Sequence, residues 1–275
     1  NATEDTEQAG CESDPPLQRA RTDPDEDIKT NFRGDWEYFM HESNTHQIRT
    51  VIAVTHGRQT TKSELKNLEF VPGAILVVFR GTDNFDNALS DIKLNTVSYN
   101  GPPFMPKGSD HKSKVSEDEA MRKKVAVHSG FKDAWLGDGL RDIVLKHIFE
   151  RLTVLSRECD EANRIGLNLS SEVLHMKPTI DITGHSLGAS IASLAAFDLA
   201  RTLRHLSLSQ SHVRVYTAGS PRTGNVAFAR AYNELVPNTW NMINENDIVP
   251  AVPHAPSLIR SSLLAFFGCG EVGYM

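Results

Sequence analysis

Cysteine is scarce in this 275-residue chain, and the three that occur, Cys11, Cys159 and Cys269, lie far apart. An odd number of widely separated cysteines matches neither a framework of paired disulfides nor the ligand spacing of a metal site. The sequence therefore predicts no bound metal and no disulfide-stabilised fold. It leaves the redox compartment open, so a secreted and a cytoplasmic location are not distinguished.

The chain also lacks an excess of basic residues and any long apolar segment. Its formal net charge is −6 and its sequence pI is near 6.0, which does not suit a protein that neutralises nucleic-acid phosphates. The longest apolar runs, at 74–79 and 263–267, fall far short of the roughly 18 residues that a transmembrane helix needs. We therefore expect a soluble or peripheral protein without a nucleic-acid partner.

Composition divides the chain into two parts. Residues 1–30 are rich in Asp and Glu, contain several prolines and have almost no large apolar side chains, so we predict a disordered acidic segment. Residues 31–275 are long enough to bury a large core and are predicted to form one domain. The chain begins with Asn1 and shows no signal peptide, so we expect either that one was removed or that a longer chain exists.

Strand-like and helical segments alternate along residues 31–275. Apolar or β-branched runs predict strands at 48–55, 73–80, 125–131, 213–217 and 239–243. The run at 73–80 is continuously apolar, which is typical of a strand buried on both faces. Helical periodicity predicts helices at 134–158, 189–201 and 227–234. Such alternation indicates an α/β fold with a mostly parallel sheet and helices on both faces.

Residues 179–191, TIDITGHSLGASI, have the pattern of a strand, a sharp turn and a helix. Ser186 lies between Gly184 and Gly188 in a G-x-S-x-G pattern, which presents a serine hydroxyl clear of the backbone at the end of a strand. The serine in such an elbow usually has a positive φ, so the residues two before and two after it need almost no side chain. Ser186 is therefore the predicted nucleophile.

A nucleophilic serine needs an acid and a base, which follow it in that order in this architecture. The acidic residues after Ser186 are Asp198, Glu234, Glu245, Asp247 and Glu271. The first two fall in predicted helices, and the last lies too near the end to precede a base. Glu245 and Asp247 follow the strand at 239–243, where the acid belongs. We favour Asp247 because the Ile-Val-Pro sequence after it can lock the loop.

The base is harder to assign. His254 follows Asp247 by seven residues on the same proline-rich loop, so it would have to fold back across that loop. A surface position is more typical of such a histidine. His185 is expected to point away from its neighbour Ser186 and to pack beside the elbow. His128 precedes the serine; it could line the pocket, but a buried, hydrogen-bonded role is favoured over a catalytic one.

Six segments between about residues 73 and 253 together resemble the class 3 (fungal-type) triacylglycerol lipase family, and they occur in the family's order. They are Val77-Val-Phe-Arg-Gly-Thr82, Asn87-Ala-Leu-Ser-Asp-Ile92, Val127-His-Ser-Gly-Phe131, Ile182-Thr-Gly-His-Ser-Leu-Gly188, Tyr216-Thr-Ala-Gly-Ser-Pro-Arg-Thr-Gly-Asn225 and Asn244-Glu-Asn-Asp-Ile-Val-Pro250. The resemblance implies an α/β-hydrolase fold and hydrolysis of lipid acyl esters without a cofactor. Acylglycerols are the first expected substrates, and phospholipid or galactolipid esters the next.

The resemblance also implies residue roles. Ser186 corresponds to the nucleophile and Asp247 to the acid that orients the base. The backbone N–H groups of Thr82 and Leu187 correspond to the oxyanion hole, with the Thr82 hydroxyl as a third donor. This placement suits the chemistry, because a strand end and a helix N-terminus then both point donors at the developing negative charge.

The segment at 87–92 is similar to the family's lid. Phe85, Ala88 and Leu89 are the lid candidates in this sequence. Ala88 stands where the family often has a tryptophan, which reduces the apolar surface that would meet a lipid interface. The resemblance therefore implies peripheral contact with lipid interfaces but leaves activation at an interface open.

The family histidine commonly follows a Gly-Tyr-x pattern, and this sequence ends Gly273-Tyr274-Met275. We therefore expect the catalytic base directly after Met275, so that the domain is truncated at its C-terminal end, with His254 as the alternative. Two other functions stay open. One is a non-catalytic lipase-like signalling or scaffold protein, and the other is an acyltransferase that uses the same acyl-enzyme.

We expect the 275-residue chain to hydrolyse a short-chain nitrophenyl ester much more slowly than a version extended past Met275. A site that lacks one triad member keeps only about 10³- to 10⁴-fold acceleration over water, from the oxyanion hole and substrate binding. Initial rates of the two proteins make the comparison. Equal, robust turnover by both would contradict the truncation and assign the base to His254, which a His254→Ala variant then tests.

Overall fold

The computed structural model describes residues 36–45, 48–61, 68–81, 95–106, 124–164, 177–209, 212–245 and 247–252. The acidic segment predicted at 1–30 lies outside these ranges. So do five residues that carry predicted roles: Thr82, Phe85, Ala88, Leu89 and His254. What the sequence indicates for these positions stays a prediction.

The described residues form ten strands and four α-helices. The strands are β1 (Trp36–Glu42), β2 (Arg49–Thr55), β3 (Arg58–Thr61), β4 (Leu68–Val71), β5 (Ala74–Phe79), β6 (Thr96–Ser98), β7 (Ala126–His128), β8 (Thr179–His185), β9 (Val213–Ala218) and β10 (Thr239–Met242). The helices are α1 (Ser129–Leu136), α2 (Leu140–Arg164), α3 (Leu187–His205) and α4 (Val226–Leu235).

Six of the strands form the central sheet, in the order β1-β2-β5-β8-β9-β10. The last four are parallel to one another, whereas β1 and β2 are antiparallel strands at one edge. This topology confirms the predicted mostly parallel sheet. Because the carboxyl ends of parallel strands meet at one edge of a sheet, the residues after β5, β8, β9 and β10 are brought together there.

The hydrophobic core lies on one face of this sheet. The strand register places Ile52, Val77, Ile182 and Val215 in one row across four strands, and each is at most 2% exposed. Buried apolar residues from each of the four described helices belong to the same cluster as this row, whereas Cys159 and Ala162 of α2 form a second, smaller cluster with Phe70. The prediction that 73–80 is buried on both faces is wrong, because alternate side chains of β5 are only half-buried.

Two element boundaries differ from the sequence-based expectation. The strand predicted at 125–131 ends at His128, and helix α1 begins at Ser129. The helix predicted at 134–158 is two helices, because Asp138 (φ 50°) and Gly139 (φ 70°) adopt left-handed conformations between α1 and α2. Asp138 is held there since its carboxylate accepts hydrogen bonds from Ser43 Oγ and Thr45 N, both at 2.8 Å. Tertiary contacts therefore stabilise the break.

None of the helices within the described ranges has both the length and the apolar character that crossing a lipid bilayer demands. The longest, α2, is amphipathic and packs its apolar side against the sheet. The apolar side of this long helix is therefore part of the domain core.

A buried carboxylate organises the helical layer. Asp198 of α3 is 2% exposed, and its Oδ2 accepts hydrogen bonds from Tyr99 Oη (2.8 Å), Trp135 Nε1 (3.0 Å) and Arg141 Nε (2.8 Å). Arg201 lies 3.7 Å from its Oδ1. Burial raises the pKa of Tyr99 well above its ordinary 10.0, and the Asp198 carboxylate raises it further, so the phenol stays a donor. The network joins α1, α2 and residues 95–106 to α3.

We expect Asp198→Ala to lower the free energy of unfolding by about 3–5 kcal/mol, because it removes the buried carboxylate that pairs with the guanidinium groups of Arg141 and Arg201. Asp142→Ala is the matched control. Asp142 also pairs with Arg141, at 3.3 Å, but its side chain is 68% exposed, so its loss is expected to cost less than about 1 kcal/mol. Urea unfolding measures both. Equal losses for the two variants would contradict a buried network centred on Asp198.

Candidate active site

Ser186 occupies a strained elbow between β8 and α3. Its φ of 55° and ψ of −124° confirm the predicted positive φ, which a non-glycine residue adopts only at an energetic cost. Ser186 N donates to Ala218 O at 3.0 Å, and Ser186 O accepts from Ala189 N at 2.9 Å. The neighbouring strand and the first turn of the helix therefore hold the strained backbone in place.

The two flanking glycines permit this elbow to form. A Cβ built on Gly184 would lie 2.3 Å from Gly188 O, and one built on Gly188 would lie 2.3 Å from Phe79 O. Because real Cβ atoms essentially never approach another heavy atom within 3.0 Å, a side chain at either position would separate the helix from the strands. The spacing inferred from the sequence thus has a direct steric reason.

The backbone around Ser186 is suited to an oxyanion hole. Leu187 is the first residue of α3, so its N–H belongs to the group of helix N-terminal donors that have no acceptor within the helix. On the other side, Gly81 follows β5, and a Cβ built on it would lie 3.6 Å from Ser186 Cβ. The chain therefore reaches the nucleophile one residue before Thr82. The roles of Leu187 and Thr82 stay predictions.

Asp247 lies on a loop after β10 that is held by several hydrogen bonds. Its N–H donates to Asn244 O at 2.9 Å, and its Oδ1 accepts from Val249 N at 2.9 Å. The loop continues through a 3₁₀ turn, Val249–Ala251, and Val252 O accepts from Arg222 N at 2.9 Å. Within the part of the chain that the structure describes, no hydrogen-bond donor reaches Asp247 Oδ2.

The fold brings the Asp247 loop beside the elbow through Gly219, which follows β9 and has a φ of 55°. A Cβ built on Gly219 would lie 2.6 Å from Asp247 Oδ2 and 3.6 Å from His185 Nε2. His185 is exposed and directly precedes Ser186. Asp247 is thus close to the end of β8, which leads into Ser186. Sequence reasoning missed Gly219, although it belongs to one of the six quoted segments.

His128 lies in a different environment. It is 7% exposed, and its backbone N–H donates to the backbone carbonyl oxygen of Thr223 at 3.0 Å. Its ring is perpendicular to that of Phe131, with the centroids 6.0 Å apart. This burial confirms the favoured buried position. The non-catalytic role favoured for His128 stays a prediction.

The Gly-Asn pair after the Ser-Pro-Arg-Thr turn has a structural role. Asn225 caps α4, because its Oδ1 accepts from Phe228 N at 2.9 Å, and its Nδ2 donates to Lys124 O at 2.8 Å. Thr223 Oγ1 donates to Ser190 Oγ at 3.2 Å, which links the turn to the nucleophile helix. The turn between β9 and α4 is therefore fixed on both sides.

A protein-family model described as Lipase (class 3) matches residues 76–256 of this chain. Among curated relatives, the chain is 30% identical to a lipase of Rhizomucor miehei over 181 residues, which are 66% of this chain and 38% of that protein. It is also 30% identical to the secreted mono- and diacylglycerol lipase 2 of Gibberella zeae over 184 residues, or 67% of this chain and 38% of that protein. The chain thus spans well under half of either relative.

The fold is similar to that of lipase II from Rhizopus niveus. That structure superposes with a TM-score of 0.52 at 24% sequence identity, covering 80% of this chain and 62% of the other. At this level of identity the likeness shows the fold, which is of the α/β-hydrolase type, as the six sequence segments imply. The region matched by the family model, residues 76–256, contains every described residue of the candidate active site.

Proposed function

The chain belongs to the class 3 lipase family, and we propose that it is a serine carboxylic-ester hydrolase that acts on lipid acyl esters. The observation that carries the proposal is Ser186 at a positive φ, on an elbow between a parallel strand and a helix N-terminus. The relatives described as lipases support acylglycerols as the substrate class. No step of the proposed reaction needs a metal or an organic cofactor.

The proposed reaction begins with attack of Ser186 Oγ on the ester carbonyl carbon. The base removes the hydroxyl proton, and the carbonyl oxygen becomes an oxyanion. When the tetrahedral intermediate collapses, the bond to the alcohol breaks and the base returns its proton to that alcohol. Water then attacks the acyl-enzyme by the same steps and releases the carboxylic acid, which regenerates the serine.

The backbone around the elbow supports stabilisation of the oxyanion. In our proposal the donors are the N–H groups of Leu187 and Thr82. Leu187 begins α3, so its N–H also carries the positive end of the helix dipole. Each such donor is typically worth about 3–4 kcal/mol of transition-state stabilisation. The donors are fixed before the reaction, which avoids a reorganisation cost.

Asp247 is proposed to orient the base and to stabilise its protonated form. Val249 N–H holds one carboxylate oxygen, and Oδ2 faces the space beside Gly219 and His185. A carboxylate held through one oxygen can present the other to an imidazole N–H. The base itself is proposed to be a histidine outside the described residues. A peripheral contact with lipid interfaces through Phe85 and Leu89 is part of the same proposal.

Ser186 is expected to be the residue that reacts covalently with a fluorophosphonate probe in the full-length protein. An activated serine is phosphonylated because its hydroxyl is deprotonated as it attacks, whereas ordinary serines are inert. In-gel fluorescence and mass spectrometry of the modified peptide provide the measurement, with Ser186→Ala as the negative control. Absence of labelling would favour a non-catalytic scaffold, and labelling that persists in Ser186→Ala would contradict the proposed nucleophile.

Asp247→Asn is expected to lower kcat for a monoacylglycerol or diacylglycerol by about 10⁴-fold, since an amide cannot stabilise the imidazolium or hold the correct tautomer. Glu245→Gln is a matched control, because Glu245 is exposed on the same loop. We expect its kcat to stay within about twofold of the unmodified protein. Fatty-acid release gives both rates. A large loss of kcat in Glu245→Gln but not in Asp247→Asn would reassign the acid to Glu245. Acyl transfer to an added alcohol in preference to water would identify the protein as an acyltransferase.

A further inference from the structure

We propose that Gly219 is a positioning residue for the acid, because its missing side chain leaves the space that the Asp247 carboxylate occupies. This inference rests on the proposed function only in assigning Asp247 its role. The steric relation between Gly219 and Asp247 is observed in the structure and does not depend on that role. Gly219 itself touches no reacting atom in this proposal and acts through Asp247.

The geometry at Gly219 is restrictive in two ways. Its φ of 55° lies in the left-handed region that L residues rarely adopt. A Cβ at this position would also lie 2.6 Å from Asp247 Oδ2, 3.8 Å from Asp247 Cγ and 3.6 Å from His185 Nε2. The first of these contacts is shorter than real Cβ atoms make. Any other residue would therefore collide with the carboxylate.

The backbone of Gly219 is not free to move away from this collision. Its N–H donates to Met242 O at 2.9 Å, and the preceding residue, Ala218, accepts from Ser186 N at 3.0 Å. Two residues further on, Pro221 is buried, and Arg222 N donates to Val252 O at 2.9 Å. A shift of this backbone would thus strain the elbow and the acid loop together.

The Asp247 side chain is the part that is expected to yield. Its terminal oxygen is the atom in contact, and a carboxylate moves by rotation about two side-chain torsions. Such a rotation would break the hydrogen bond from Val249 N to Oδ1 and redirect Oδ2. A methyl group at position 219 would therefore displace the acid while most of the fold stays intact.

The test compares Gly219→Ala with Gly139→Ala in the full-length protein. Gly139 also has a positive φ, of 70°, but a Cβ there would meet no atom within 4 Å. Backbone strain should therefore lower the melting temperature by a similar few degrees in both variants. Only Gly219→Ala is expected to reduce kcat, by about 10²-fold, as for a catalytic group misplaced by about 1 Å. KM is expected to stay within about twofold.

A double-mutant cycle separates action through the acid from general damage. In an Asp247→Ala background the carboxylate that would collide is gone, so adding Gly219→Ala is expected to leave the residual kcat unchanged. Removal of the acid alone typically lowers kcat by about 10⁴-fold, and the rate that remains is still well above the uncatalysed rate. The residual activity of the Asp247→Ala background is therefore measurable. An equal fall in kcat in both backgrounds would overturn the inference.

Hydrogen exchange at the Val249 amide provides a readout that needs no enzymatic activity. We expect Gly219→Ala to remove protection of this amide, as Asp247→Ala does, whereas Gly139→Ala leaves it protected. Unchanged protection at Val249 in Gly219→Ala would overturn the inference whether or not the protein hydrolyses esters. A protein that hydrolyses no ester, yet loses Val249 protection in this variant, would refute the proposed function and retain the positioning of Asp247.

Discussion

The left-handed backbone at Ser186 is the constraint around which the rest of the site is arranged. A non-glycine residue keeps such a conformation only when its surroundings hold it there. Here the hydrogen bond from Ser186 N to Ala218 O anchors one side, and the first turn of α3 anchors the other. The glycines at 184 and 188 are a consequence, because the helix can reach the strand ends only if both lack side chains. The elbow thus couples β5, β8 and β9 to α3.

Two aspartates near this framework differ in their environments. Asp198 is buried, and three donors saturate one of its oxygens, so its charge serves packing of the helical layer. Asp247 is half-buried, and among the described residues its Oδ1 accepts a hydrogen bond from one backbone N–H, that of Val249. Its other oxygen lies beside Gly219. The Asp198 carboxylate therefore stabilises the fold through several donors, whereas our proposal gives the less constrained Asp247 carboxylate a role in the reaction.

Local patterns were sufficient to predict most of the parallel sheet and the elbow at Ser186. The strand at 179–185 and the helix after it follow from β-branched and alanine-rich runs, and the G-x-S-x-G spacing follows from steric demands that act within five residues. The break between α1 and α2 was not predicted. The Gly-Asp-Gly sequence at 137–139 permits a turn, and the left-handed Asp138 is stabilised there by Ser43 and Thr45, which lie far away in sequence.

Local sequence patterns were enough to predict the elements that depend on neighbouring residues: the elbow at Ser186, the mostly parallel strands, and the loop position of Asp247 after the last described strand. They did not reveal the network around Asp198 or the steric relation between Gly219 and Asp247. These two features arise only in the folded protein, because each depends on atoms from separate strands and helices that meet after folding. Hydrogen-bond geometry and steric exclusion act over a few ångströms of space, and no local pattern in the chain encodes that distance.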